Sequence, residues 1–255
     1  IISFIVLGLF GIGYNRAAKN HQALLALQAN AKKLSSDEKL EHTGEKGINT
    51  AKEEKKFSAT KSALDQASRD STGPQAAAAH AMSAFLEKAR VPMVNFAKVS
   101  EPMKPLVRLD MSQVEQQEKL QTRMQTVKKF LAANDNLIAF IKDSEFALRK
   151  ELVDAQLPQK DINFMVEGYR KTTTEQNNLA LRMREEDKNI GNALTGALVL
   201  LDANWGKWKY SPAEKAVHFD DRTTGNSFLA YIAVMDAAFK EQSKLQHQLG
   251  ALAKK

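Results

Sequence analysis

The chain has 255 residues, 43% apolar and 26% charged, with a formal net charge of +7. That length and balance support a buried core and exclude wholesale disorder. The absence of cysteine excludes disulfides, thiol catalysis, cysteine–zinc sites and an acylated lipobox cysteine.

In chain order, the first stretch is the uncharged run Ile1 to Tyr14, which ends at Asn15 and Arg16. Its apolar side chains (Ile1, Ile2, Phe4, Ile5, Val6, Leu7, Leu9, Phe10, Ile12) and the Tyr14 exit have the character of a membrane anchor crossing into an interface. As a helix the run reaches about 22 Å, short of the roughly 30 Å hydrocarbon core. The chain begins with Ile rather than Met, so residues upstream are expected to complete the span. A cleaved signal peptide fits less well, because Gly11-Ile12-Gly13 before the bulky Tyr14 is a poor cleavage site. From Asn15 to Leu34 a helical neck follows, with Leu24, Leu27, Ala31 and Leu34 at three-to-four spacing.

Residues 35–73 read as a polar linker with a short helix. Ser35 to Thr50 carries Gly44 and Gly47 and has little to bury. Ala51 to Asp70 permits helix but is thinly apolar, so its packing partner must lie elsewhere. Gly73-Pro74 opens the helical body, residues 74–255, because proline fits the first helical turn. The next helix puts Met82, Phe85, Leu86, Ala89, Met93 and Phe96 on one face, with a kink expected at Pro92.

Two long helices are expected next, from about Leu106 to Ala155, with a possible interruption at Asn134-Asp135-Asn136, and from Gln159 to Ala203. The Leu157-Pro158 break between them makes the pair an antiparallel hairpin. After Gly206, Trp208, Tyr210, Val217 and Phe219 alternate as two short strands would, while Ser211-Pro212-Ala213-Glu214 has the pattern of a capping box. A small β-hairpin or aromatic loop is expected at about 205–221. A last helix, from about Asn226 to Ala253, carries Phe228, Tyr231, Met235, Leu245, Leu249 and Leu252 at heptad-like steps. The fold class is all-α: an elongated antiparallel helical bundle with this hairpin before its last helix, preceded by an N-terminal transmembrane helix.

Candidate chemistry is sparse. Asp202-x-Asn204-x-Gly206 opens like a calcium loop, but Lys207 stands where the turn glycine is required and no bidentate Glu closes it. His21, His42, His80, His218 and His247 form no pair at helical spacing, and no Glu-x-x-His of a di-iron bundle occurs. The carboxylates of Glu185, Glu186 and Asp187 read as a charged helix face. No phosphate-binding glycine loop or nucleophile elbow occurs. No catalytic residue, metal or cofactor is therefore assigned. Lysines and arginines alternate with carboxylates, as in Lys52 to Lys56, so no nucleic-acid partner is expected.

For interaction, the residues singled out are Trp205, Trp208 and Tyr210 interleaved with Lys207 and Lys209. Aromatics with lysines suit a lipid head-group interface or a protein hot spot, although the simpler expectation is that the rings cap the end of the core. The sequence thus implies a non-enzymatic, membrane-anchored scaffold or interaction protein of a bacterial cell envelope. It would be single-pass in the inner membrane with an outward-facing body, bound to membrane lipid and to a protein partner or a second copy, and possible as an accessory subunit of a larger complex. The alternative is a ligand-sensing bundle similar in layout to the extracytoplasmic domains of bacterial chemoreceptors, which would need a second membrane span.

Overall fold

The computed structural model describes residues 50–252 apart from 110, 113 and 115, and helix makes up 83% of it. Six helices and two strands follow in order: α1 (Thr50–Asp70), α2 (Pro74–Ser100), α3 (Met103–Val107), α4 (Gln117–Asp154), α5 (Gln159–Ala203), β1 (Trp208–Ser211), β2 (Ala216–Phe219) and α6 (Arg222–Leu252). The anchor run Ile1 to Tyr14, the neck to Leu34 and the linker as far as residue 49 lie outside the described residues. Among the described residues no helix is long and apolar enough to cross a membrane, so the expected transmembrane helix finds no counterpart there.

The chain divides into two units. Unit 1 takes in residues 50–97, 137–180 and 249–252, and unit 2 Lys98–Asn136 and Leu181–Gln248.

In unit 1, α1 finds its partner in α2. Ala67 and Ala79 pack together, Ser83 donates to Asp65 Oδ1 at 2.6 Å, and Ser68 donates to the Ala76 carbonyl. Lys61 and Ser83 together hold the Asp65 carboxyl below its ordinary range. Phe57, Leu64, Phe85 and Leu86 are fully buried. The ring of Phe85 meets Tyr169 edge-on at 5.7 Å and Phe140 at 6.1 Å, so one α2 side chain ties α4 and α5 into the core. Arg170 grips Glu145 through two nitrogens, at 2.6 and 2.9 Å, on the exposed side of the α4–α5 pair.

The α4–α5 turn is built as the sequence implies. Leu157 N–H donates to the Leu152 carbonyl and Gln156 N–H to that of Val153, the paired bonds of a Schellman cap, with Gln156 in the left-handed region at φ 58°. Leu152 and Leu157 are both buried, which supplies the apolar contact such a cap uses. Pro158 then opens α5, its carbonyl accepting from Asp161 and Ile162.

Two expectations are corrected in unit 2. The helix read as starting at Leu106 is divided: α3 ends at Val107, Leu109 turns through φ 49°, and α4 begins only at Gln117. A left-handed leucine breaks the helical ladder, and the reward is burial of Leu106, Leu109, Met111 and Val114. Asn134-Asp135-Asn136, by contrast, does not interrupt α4.

Close approach in unit 2 depends on two glycines of α5. A Cβ on Gly196 would lie 2.4 Å from the Tyr231 ring of α6, and one on Gly191 would lie 2.5 Å from Leu131 of α4. Because an aromatic ring is rigid and a leucine tip can swing away, Gly196 is the stricter requirement. Gly196→Ala is expected to lower unfolding free energy by about 1–3 kcal/mol through overpacking. Gly250→Ala, in helix with open space around its Cβ, should be neutral or stabilising by up to about 1 kcal/mol. Urea denaturation of the two variants checks the contrast.

Candidate functional site

The hairpin grows out of the end of α5. Gly206 sits at φ 81°, a conformation open to glycine at no steric cost. It follows Ala203 by three residues, so the helix stops and the chain reverses. Around it Trp205 N–H donates to the Asp202 carbonyl and Lys207 N–H to that of Asn204. The polar side chains of the calcium-like stretch are taken up by hydrogen bonds within the fold. Asp202 Oδ1 accepts from Gln117 Nε2 at 2.9 Å, and Asn204 Nδ2 donates to the Leu200 carbonyl at 2.9 Å. Among the described residues no group of three or more His, Cys, Asp or Glu is placed to hold a metal ion.

The strands pair antiparallel, Trp208 opposite Phe219, Lys209 opposite His218, and Tyr210 opposite Val217. Ser211 ends β1, and Pro212-Ala213-Glu214-Lys215 form the hairpin turn rather than the start of a helix. Ser211 Oγ accepts the Glu214 N–H at 3.3 Å, the bond expected of a capping serine, but Lys215 at φ 52° turns the chain back into β2. Local capping chemistry serves a turn as readily as a helix.

Strand alternation sorts the residues that the sequence interleaves. Trp208, Tyr210, Val217 and Phe219 are half-buried on one face, and Lys209 and His218 are exposed on the other. Trp208 Nε1 donates to the Leu201 carbonyl at 2.9 Å, capping one of the last carbonyls of α5. Trp205 stands edge-on to Trp208 at 5.5 Å and 81°. On the far side Phe219 lies 5.3 Å from Phe228, itself buried in α6. The aromatics therefore form a bridge from α5 through the hairpin to α6. Of the two tryptophans Trp205 is the one open to solvent, at 36% exposure, with exposed Lys207 two residues on. His218 pairs with Glu214 at 2.6 Å on the open surface.

Three features here escape a residue-by-residue reading of the sequence: the Gln117–Asp202 link, the Phe219–Phe228 contact and the start of α6. The first two join residues distant in sequence or separated by a turn. The third carries a local signal, Asp221 three residues ahead of Thr224. The Asp221 carboxylate accepts from the Thr224 N–H at 2.7 Å and its hydroxyl at 2.6 Å. That makes Asp221 the cap, and α6 starts at Arg222 instead of Asn226.

Two outcomes follow from this geometry. Trp208→Phe removes the donor to Leu201 and leaves a smaller ring against Trp205, and is expected to lower stability by about 1–3 kcal/mol in a thermal melt. The Thr224 bonds hold the Asp221 carboxyl below its ordinary range. A folded-state value below the unfolded one favours the native state at neutral pH, and that contribution is lost as pH falls through the folded value. Asp221→Asn should therefore melt below the parent at pH 7, and the difference should shrink on acidification; a pH-independent difference would show that the charge contributes nothing. Compared with protein-family models, with curated proteins and with solved structures, the chain returns no match.

Proposed function

We propose that this chain is a non-enzymatic helical scaffold of a bacterial cell envelope, held at the inner membrane by Ile1 to Tyr14 and engaging a protein partner at the hairpin end of unit 2. The observation that carries the reading is the setting of Trp205. Its ring rests against a second tryptophan that is itself fastened by the indole bond to Leu201, while part of it faces water. A large aromatic surface held on a rigid base loses little entropy when a partner covers it, and this is the character of an interface hot spot. Lys207, two residues on, is exposed and suits a polar rim. The helices of unit 2 supply a frame for that end, and the apolar run supplies a tether.

The test is a photocrosslinking probe at Lys207, carried in the full chain in membranes, with and without Trp205→Ala. One discrete protein adduct is expected, falling about tenfold or more in the variant, with a melting temperature reduced by no more than about 4 °C. The chain should leave membranes on detergent extraction but not on a salt wash, and removal of residues 1–14 should release it. An adduct indifferent to Trp205, or a full chain that fractionates as a soluble monomer, would overturn the reading.

A further inference from the structure

The three long helices of unit 2 each break their apolar pattern once, and at the same level. Buried and half-buried residues follow an alternating three-and-four spacing: Val127, Phe130 and then Asn134 in α4; Met183, the half-buried Asp187, Ile190 and Leu194 in α5; Met235, Ala238, the half-buried Gln242 and Leu245 in α6. Asn134, Asp187 and Gln242 thus occupy positions that the heptad reserves for apolar side chains.

They meet around Arg184. Asn134, fully buried, donates through Nδ2 to the Arg184 carbonyl at 2.8 Å. Gln242 Nε2 donates to Asp187 Oδ1 at 2.7 Å and, more weakly, to the Met183 carbonyl at 3.4 Å. Arg184 Nη2 lies 3.0 Å from Asp187 Oδ2, with the two side chains 5% and 13% exposed. Each helix pairing repeats the polarity at its rim: Lys188 meets Asp135 at 3.2 Å for α5 with α4, and Arg182 meets Glu241 at 2.7 Å for α5 with α6.

The layer is a poor source of stability. Burial pushes the Asp187 carboxyl up and the Arg184 guanidinium down, against their mutual attraction, and Asn134 Oδ1 accepts no hydrogen bond among the described residues. Desolvating such groups commonly offsets the attraction they gain. What the layer does distinguish is alignment. Helices α5 and α6 run antiparallel, since Met183 and Asp187 meet Gln242 while Gly196 meets Tyr231. A seven-residue slip of α6 would still set most apolar positions against apolar ones, but it would carry Tyr231 off Gly196 and break the polar layer, leaving the Asp187 carboxylate facing Met235 or Leu249.

We propose that Asn134, Arg184, Asp187 and Gln242 form a register lock, a buried polar layer that admits one alignment of α4, α5 and α6 and rejects the heptad-shifted one. The chain has no cysteine, so Asn192→Cys with His247→Cys, both at exposed positions, places two spin labels at defined points on α5 and α6 of the full chain. With the layer intact, the distance distribution is a single narrow peak. In the same chain carrying Asn134→Leu, Arg184→Leu, Asp187→Leu and Gln242→Leu, the melting temperature should be equal or higher, and a second population should appear, displaced by the roughly 10 Å of a seven-residue slip. The parental single peak in that variant would overturn the lock whatever its melting temperature. Loss of its helical circular dichroism would also overturn it, by showing that the layer is needed for folding itself.

Discussion

Helices α4 and α6 are fitted to the buried stripe of α5, which carries Val166 and Tyr169 in unit 1 and Leu194, Leu198 and Leu201 in unit 2, all at or near zero exposure. At about 25 cal/mol per Å² of apolar surface removed from water, such side chains contribute more than any single polar contact at the rim. The stripe also dictates small residues where a neighbour comes close. Gly191 and Gly196 interrupt good helix-forming sequence, and they do so where Leu131 and the Tyr231 ring press against the α5 backbone. In unit 1 the same helix instead meets Phe85, a single α2 side chain that engages α4 and α5.

At the end of α5 the chain has to satisfy its last carbonyls and reverse direction in a few residues. Gly206 provides the reversal, while Asn204 and Trp208 return donors to Leu200 and Leu201. This ties the hairpin to the helix so firmly that Trp208 serves the fold first. Its neighbour Trp205 is left at the boundary with water, a partly open ring on a fixed base. Lys209 and His218 point the other way, so the mixed aromatic and basic character of the sequence is divided between two faces.

Much of this was legible before any coordinates. The boundaries at Gly73-Pro74 and Leu157-Pro158 and the helices between them follow from the geometry of proline and from three-to-four spacing, which are properties of neighbouring residues. The two strands were readable for the same reason, since Trp208, Tyr210, Val217 and Phe219 alternate. Where local chemistry has two outcomes, neighbouring residues alone do not choose between them. Ser211 to Glu214 can cap a helix or close a hairpin, and the pairing of β1 with β2 settled it. Leu106 to Gln116 has apolar residues enough for a helix, yet Leu109 turns left-handed because burying this segment outweighs about 1–2 kcal/mol of backbone strain.

The candidate interaction residues were named from composition, but their separate roles were not visible there, because exposure belongs to the folded surface and not to the residue type. The polar layer was equally hidden: Asp187 beside Glu185 and Glu186 looks like part of a solvated face until α6 brings Gln242 against it. Sequence by itself determined the helical class and the turns at glycine and proline, since each depends on contacts within a few residues. Only tertiary structure decided which tryptophan is covered, where α4 begins and which polar residues are buried, because those depend on desolvation by helices far away in the chain.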